Sequence, residues 1–419
     1  MSAVVRAEMP GVIVLGADSQ IGLAVIRDLG RGGVPVHAIG RTSAAVGLHS
    51  RYVRTAHVHR ERDQALIDLL NRIASEQDAR FLMTVSERDI SFLHEVRPRL
   101  TGLVPLIPSP DTMALVLDKA RIYAIAERLG IAVPRTIAVD AEGRPDAGDE
   151  AIRFPVVLKW SAPLEAMPLL RQHGIAFLKA EYCHDLASLK AALARYRPLG
   201  RYPLVQEYCP GVGLGQMFYM HRGAAVLRFQ HLRLHEWPPE GGYSTLCESL
   251  APEENASLMA RSEALLREIG WEGQAMVEYR FDRESRRATL MEINGRFWGS
   301  MPLAWHAGAR FPWLLYNLMG RGIEVNDADS YRSGVRCKFL LPDLKRLWRL
   351  LRHPELIQDR SLRFDRLSEL AGFVVFLIDP RSRYYVFSWT DPMPFVAELR
   401  HLARRLFGRG EGGSVRAQP

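Results

Sequence analysis

The chain has 419 residues, 47% of them hydrophobic and 24% charged, with a formal net charge of +8. This balance excludes a disordered or fibrous protein, and the length exceeds what one hydrophobic core usually serves, so two or three domains are expected. No apolar run approaches the roughly 20 residues of a membrane span, and no charged stretch followed by an apolar core marks a secretory leader. The sequence therefore reads as a soluble, cytoplasmic protein.

The charge is uneven. Between Tyr331 and Pro419 there are 17 Lys+Arg against 9 Asp+Glu, a difference equal to the whole excess. Such a segment can serve as a solvated surface or touch an anionic membrane or an acidic partner. No nucleic-acid partner is expected. Cys183, Cys209, Cys247 and Cys337 are scattered, without CxxC or His/Cys metal spacing, and read as reduced thiols.

In chain order, "VIVLG" predicts a buried strand, "IGLAVIRDLGRGG" an amphipathic helix ending at glycines, and "PVHAIG" a second strand. "DQALIDLLNRIASEQ" and "ARFLMTV" repeat the helix–strand alternation. A parallel α/β domain over residues 1–112 follows. "GADSQIG" keeps only the outer glycines of a dinucleotide fingerprint, and no acid closes the second strand. A structural strand-to-helix turn is the preferred reading, an NAD(P) site the lesser one.

Residues 109–136 read as helical, with Gly130 as C-cap and Pro134 beyond. "FPVVLKW" and "YPLVQEYCPG" are strands, and a lysine inside the first calls for a bound anion. "QMFYMHRGAAVLRFQHLRLHEW" is a hairpin turning at Arg222 and Gly223. A helix at 253–270 leads into a second hairpin, "AMVEYRFDRESRRATLMEING". Amphipathic helices and short strands fill the remainder. "GFVVFLI" at 372–378 is expected as a buried strand, and only the glycine-rich extreme terminus as disordered.

The second hairpin holds the densest chemistry. If it pairs about Ser285, Glu278 faces Glu292, with Asn294 two residues on and on the same side. Opposed residues lie about 4.5–5.5 Å apart, where like charges repel. A hard cation such as Mg²⁺ relieves that repulsion, and Arg296 adds a fork for phosphate or carboxylate oxygens. A solvated hairpin whose acids offset Arg280, Arg286 and Arg287 is the alternative. Arg228 and Arg233, five apart, point to opposite faces of a regular strand, and Arg233 is the one preferred for phosphate contact. His231 and His235 read as structural.

With Lys119, Lys159 and "EINGR", the ordered set resembles the ATP-grasp superfamily of carboxylate–amine ligases over residues 11–322. The resemblance implies the α/β domain followed by an ATP-grasp domain of two α+β subdomains over 113–322, with 323–419 as a basic extension. It also implies phosphate contacts from Lys119 and Lys159, and an adenine hinge at Gln206, Glu207, Tyr208 and Cys209. Metal ligands would be Glu278, Glu292 and Asn294, with Arg296 and Arg233 as catalytic cations. The cofactors implied are ATP and Mg²⁺, with Mn²⁺ as a substitute. The activity implied joins a carboxylate to an amine, or to a thiol, through an acyl phosphate. An ATP-binding protein without turnover, docking on a membrane-associated partner, is the alternative. Oligomeric state stays open, dimers being common in the family. Three departures stand out: no glycine-rich lid follows Lys159, no ribose-holding acid lies near "GVGLGQ", and Gly295 replaces the family's proline.

Overall fold

The structure, a computed structural model, describes residues 9–146, 152–161, 163–178, 180–325, 330–359 and 362–407. The extreme C-terminal residues expected to be disordered lie outside these. The first sheet is parallel throughout, in the order β3-β2-β1-β4-β5. Its strands are β1 (Gly11–Leu15), β2 (Val36–Gly40), β3 (Val53–Val58), β4 (Ala79–Thr84) and β5 (Val104–Pro105), with α1 (Gln20–Arg31), α2 (Gln64–Gln77) and α3 (Glu87–Val96) between them. The first two strands are buried along their whole length, as strands covered on both faces must be.

The "GADSQIG" turn joins β1 to α1. A Cβ at Gly22 would meet the Gly16 carbonyl oxygen at 2.3 Å. Ser19 caps α1 by accepting from the Gly22 N–H, and the Asp18 carboxylate accepts from the Arg41 N–H. Gln20 donates to the Gly299 carbonyl, which ties this turn to the segment after the carboxylate hairpin.

Residues 109–136 form two helices, α4 (Pro110–Leu117) and α5 (Lys119–Arg128). Asp118 breaks the run with extended backbone and caps α5 through the Arg121 N–H. A four-stranded sheet, β6-β9-β7-β8, follows: β6 (Thr136–Ile137), β7 (Val156–Lys159), β8 (Glu181–Cys183) and β9 (Leu204–Glu207), with α6 (Pro163–Gln172) and α7 (Leu186–Ala194).

A seven-stranded sheet completes the fold, in the order β14-β13-β10-β11-β12-β15-β16. Its main strands are β10 (Val212–His221), β11 (Ala224–Trp237), β12 (Tyr243–Ser249), β13 (Gly273–Asp282) and β14 (Arg287–Asn294). The first hairpin turns at Arg222 and Gly223, both at positive φ, as expected of a two-residue connection. Helix α8 (Ala256–Glu268) packs on this sheet. Helices α9 (Met301–Ala307) and α10 (Phe311–Leu314) pack on α1. The basic C-terminal part is woven in: β15 (Arg336–Lys338) and β16 (Arg383–Tyr384) extend the large sheet, and α11 (Leu340–Arg352), α12 (Arg366–Ile378) and α13 (Met393–Phe407) surround them.

One expectation fails. "GFVVFLI" is helical, within α12, and only Phe373 and Phe376 of that helix are buried. A short continuous apolar run does not distinguish strand from helix by periodicity. The deciding signal lies upstream, where Asp365 accepts from the Ser368 N–H as an N-cap.

Candidate active site

The carboxylate hairpin has the register read from the sequence at its functional end. Glu278 faces Glu292, Val277 faces Ile293 and Met276 faces Asn294. Nearer the turn a bulge shifts Tyr279 opposite Leu290, leaving Met291 as the extra residue. Gly295 also has a steric reason: a Cβ there would meet the Trp271 ring at 2.4 Å.

Around this hairpin the four-stranded sheet and the large one leave a cleft. It is lined by Lys119, Lys159, Gln206, Glu207, Tyr208, Cys209, Arg233, Glu278 and Glu292, and also by Glu236, Glu240 and Arg280. Lys119 begins α5 at the Asp118 break, and its Nζ lies 3.5 Å from Glu292 Oε2. Lys159 ends β7. Burial, then repulsion from Lys119, pushes its pKa below the ordinary 10.5, with Glu292 partly opposing.

Arg233 threads between two acids: Nη2 donates to Glu278 Oε2 at 2.6 Å and Nη1 to Glu236 Oε1 at 3.1 Å. Arg280 holds the other Glu236 oxygen at 2.9 Å. Burial disfavours the Arg233 charge, but Glu278 and Glu236 outweigh it, so its pKa lies above the ordinary value. Glu236 is likewise held low by Arg233 and Arg280 against its own burial. Arg228, as the alternation requires, points the other way and pairs with Glu263 on α8.

At the hinge the Glu207 N–H is taken by the Arg135 carbonyl and its side chain pairs with Arg135. Its own carbonyl accepts from the Cys209 thiol. Gln206 is buried and donates to Thr136 Oγ1. Tyr208 reaches the C-terminal part, donating to Asp359 at 2.6 Å. Burial pushes the Cys209 thiol up, in keeping with a packing role.

Two site residues leave the cleft lining. Asn294 is buried beside Glu292, its Nδ2 3.5 Å from Oε1. Arg296 turns toward α3, beside the first sheet, where its Nε lies 3.2 Å from Glu87. His231 is fully buried, and burial pulls its pKa down to about 3. His235 pairs with Asp343 at 2.8 Å.

Sequence reasoning missed Glu240. It is 7% exposed, lines the cleft, and its Oε2 has no hydrogen-bond partner. Burial pushes its carboxyl pKa up. Nothing in "WPPEGGYS" marks this acid, because it lies some thirty residues past the hinge it faces.

Two sheets closing on a lysine-lined cleft above paired glutamates define the ATP-grasp fold, and this chain has it. Over 145 residues it is 30% identical to N5-carboxyaminoimidazole ribonucleotide synthase of Synechococcus elongatus. The match spans 33% of this chain and 33% of that enzyme, so the chain covers about a third of its curated relative's length. The biotin carboxylase–β,γ-ATP complex from Campylobacter jejuni superposes with a TM-score of 0.59 at 15% identity, over 79% of this chain and 75% of that one. N5-carboxyaminoimidazole ribonucleotide synthetase from Thermus thermophilus gives 0.55 at 16% identity, over 76% and 80%. The biotin carboxylase domain of Hydrogenobacter thermophilus 2-oxoglutarate carboxylase, solved as a dimer with MgADP and bicarbonate, gives 0.58 at 17%, over 78% and 73%. At such identities these three likenesses are of fold. No family model matches the chain.

Proposed function

We propose that the protein is an ATP- and Mg²⁺-dependent ligase joining a carboxylate to an amine through an acyl phosphate. The observation that carries the reading is the opposed pair Glu278 and Glu292 in one cleft with Lys119 and Lys159. Lys159 has no ion-pair partner among the described residues, and a lysine left so is suited to an incoming anion. Glu278, Glu292 and Asn294 would supply the hard oxygens that Mg²⁺ or Mn²⁺ takes, and an ion held there would neutralise phosphate charge.

The Glu207 carbonyl and the Cys209 N–H would read the adenine edge, with Gln206 and Tyr208 walling the hinge. Lys119 and Lys159 would hold phosphate oxygens. The substrate carboxylate oxygen attacks the γ-phosphorus in line, the bond to the β-phosphate oxygen breaks and ADP leaves. An amine nitrogen then attacks the acyl carbon, losing a proton as phosphate departs. Arg233 and Arg296 would face the developing charge, Arg296 from the side of the first domain. Positioning and charge neutralisation supply nearly all the catalysis in such transfers.

Glu292→Gln should lower acceptor-dependent ADP release by about 100-fold or more while leaving the melting transition in place. The assay is Mg-ATP with pooled carboxylates and amines, and undiminished turnover in the variant would sink the mechanism. A second reading, nucleotide binding without ligation, draws on two features: α6 stands where a glycine-rich lid is expected, and Arg233 and Lys119 already pair with both glutamates. Tight ATP binding without ADP formation in that assay selects it. An NAD(P) site has no support in the "GADSQIG" turn, and nicotinamide cofactors should give no thermal shift.

A further inference from the structure

Helix α12 is built inside out. Leu367, Leu370, Val374, Leu377 and Ile378 recur at helical spacing and form one stripe. That stripe faces solvent, with Leu367 76% and Ile378 75% exposed. The opposite side carries the buried Phe373 and Phe376, and Glu369, which holds Arg346 through two bonds. A helix apolar on its outer side requires a partner surface.

Neighbouring α11 sorts its side chains the same way. Its one acid, Asp343, is buried on Lys338 and His235. Its exposed residues are Leu344, Lys345, Trp348 and Arg352, with the Arg352 guanidinium over the Trp348 ring. Thus within both helices the exposed side chains are apolar, polar or basic, and the exposed acids nearby, Glu355, Asp365 and Asp379, sit beyond the helix ends. Arg366 adds a cation at the start of α12.

We propose that the outer faces of α11 and α12 dock on an anionic membrane surface. Charge selects this occupant. A two-fold contact with a second copy would set Lys345, Arg352 and Arg366 against the same basic rim. Residues 408–419 hold one large apolar side chain, Val415, too few to cover the stripe. Apolar side chains, tryptophan and basic residues without acids are what an interfacial helix presents to lipid. The thirteen residues of α12 reach only about 20 Å, short of a hydrocarbon core, so the helix lies in the surface plane. Between the two helices, Gln358 and Asp359 bond to Tyr182 and Tyr208, which line the cleft, and Gln358 also bonds to His184 just past β8. Docking therefore holds the cleft close to the lipid surface.

The test is flotation of the full-length chain with phosphatidylcholine vesicles, with and without about 30 mol % phosphatidylserine. Binding is expected only to the anionic vesicles, to fall with added salt, and to drop at least about tenfold in Val374→Asp/Ile378→Asp. Wild-type and variant should melt alike, because the replaced side chains face solvent. No flotation, or equal flotation of the variant, overturns the proposal. So does a wild-type dimer in sedimentation that the variant dissolves, which would make the stripe a self-interface, or a lower melting temperature in the variant.

Discussion

Glu240 is a buried carboxylate with an idle oxygen, and an acceptor without a donor costs about 1–3 kcal/mol. Its loop is pinned beside the hinge by the Tyr182 hydroxyl, which donates to the Glu240 carbonyl. On the nucleotide reading, the donors a bound ATP offers near a hinge are its ribose hydroxyls, so Glu240 takes the part that no acid near "GVGLGQ" can. Wild-type protein should then bind ATP about tenfold or more tighter than 2′,3′-dideoxy-ATP, and Glu240→Gln should erase most of that ratio. A ratio unchanged by the substitution removes the assignment even if both nucleotides bind. Lys159 carries a pH signature. Its depressed pKa means the free protein sheds this charge at lower pH than an ordinary lysine, whereas phosphate favours the charged form. ATP affinity should therefore fall as pH rises toward 10.5, earlier than for an exposed lysine, and Lys159→Arg should flatten that fall. Calorimetric titration across this range decides it.

At the scale of elements, Asp118 shows how a single residue aims another. It ends α4 and caps α5, which sets Lys119 at a helix start facing Glu292. Asp118→Ala should cost about 1 kcal/mol of stability and raise the ATP concentration needed for half-saturation, as measured by denaturation and by nucleotide titration. A cost without any change in nucleotide binding would separate the cap from the site. The break itself was not legible, because the apolar spacing runs through it. The hairpin was legible, since turn residues at 282–287 and period-two alternation mark its two strands, but the opposition of the acids also depends on the bulge at Met291, without which the register next to the turn would set Glu278 opposite Met291. The placement of Arg296 was not legible, because Glu87 lies on α3, two hundred residues earlier. Helix α12 was misread for a related reason: its stripe is apolar without an internal partner, and burial cannot be inferred from composition alone.

Across the whole molecule the chain closes on itself. Asp391, just before α13, is 1% exposed and meets Arg27 of α1 at 2.9 Å. It also accepts from the Ser50 hydroxyl and the Arg51 N–H, while Arg27 donates further to the carbonyls of Val386 and Asp391. Burial pulls the Arg27 pKa below its ordinary value, and Asp391 is its compensating charge. Helix α1 runs from this pair to Gln20, which holds Gly299 just past the carboxylate hairpin, so the C-terminal segment braces the first sheet against the large one. Replacing both partners with apolar groups need not destabilise, but removing one leaves a buried, unpaired charge. Asp391→Ala should therefore cost about 3–5 kcal/mol in urea unfolding, and Arg27→Met/Asp391→Leu should recover much of it. If the C-terminal part is integral, as its two strands in the large sheet imply, the loss appears as one shifted transition. A separate early transition confined to the variant would instead mark the last ninety residues as an independently melting unit, and the brace would not exist.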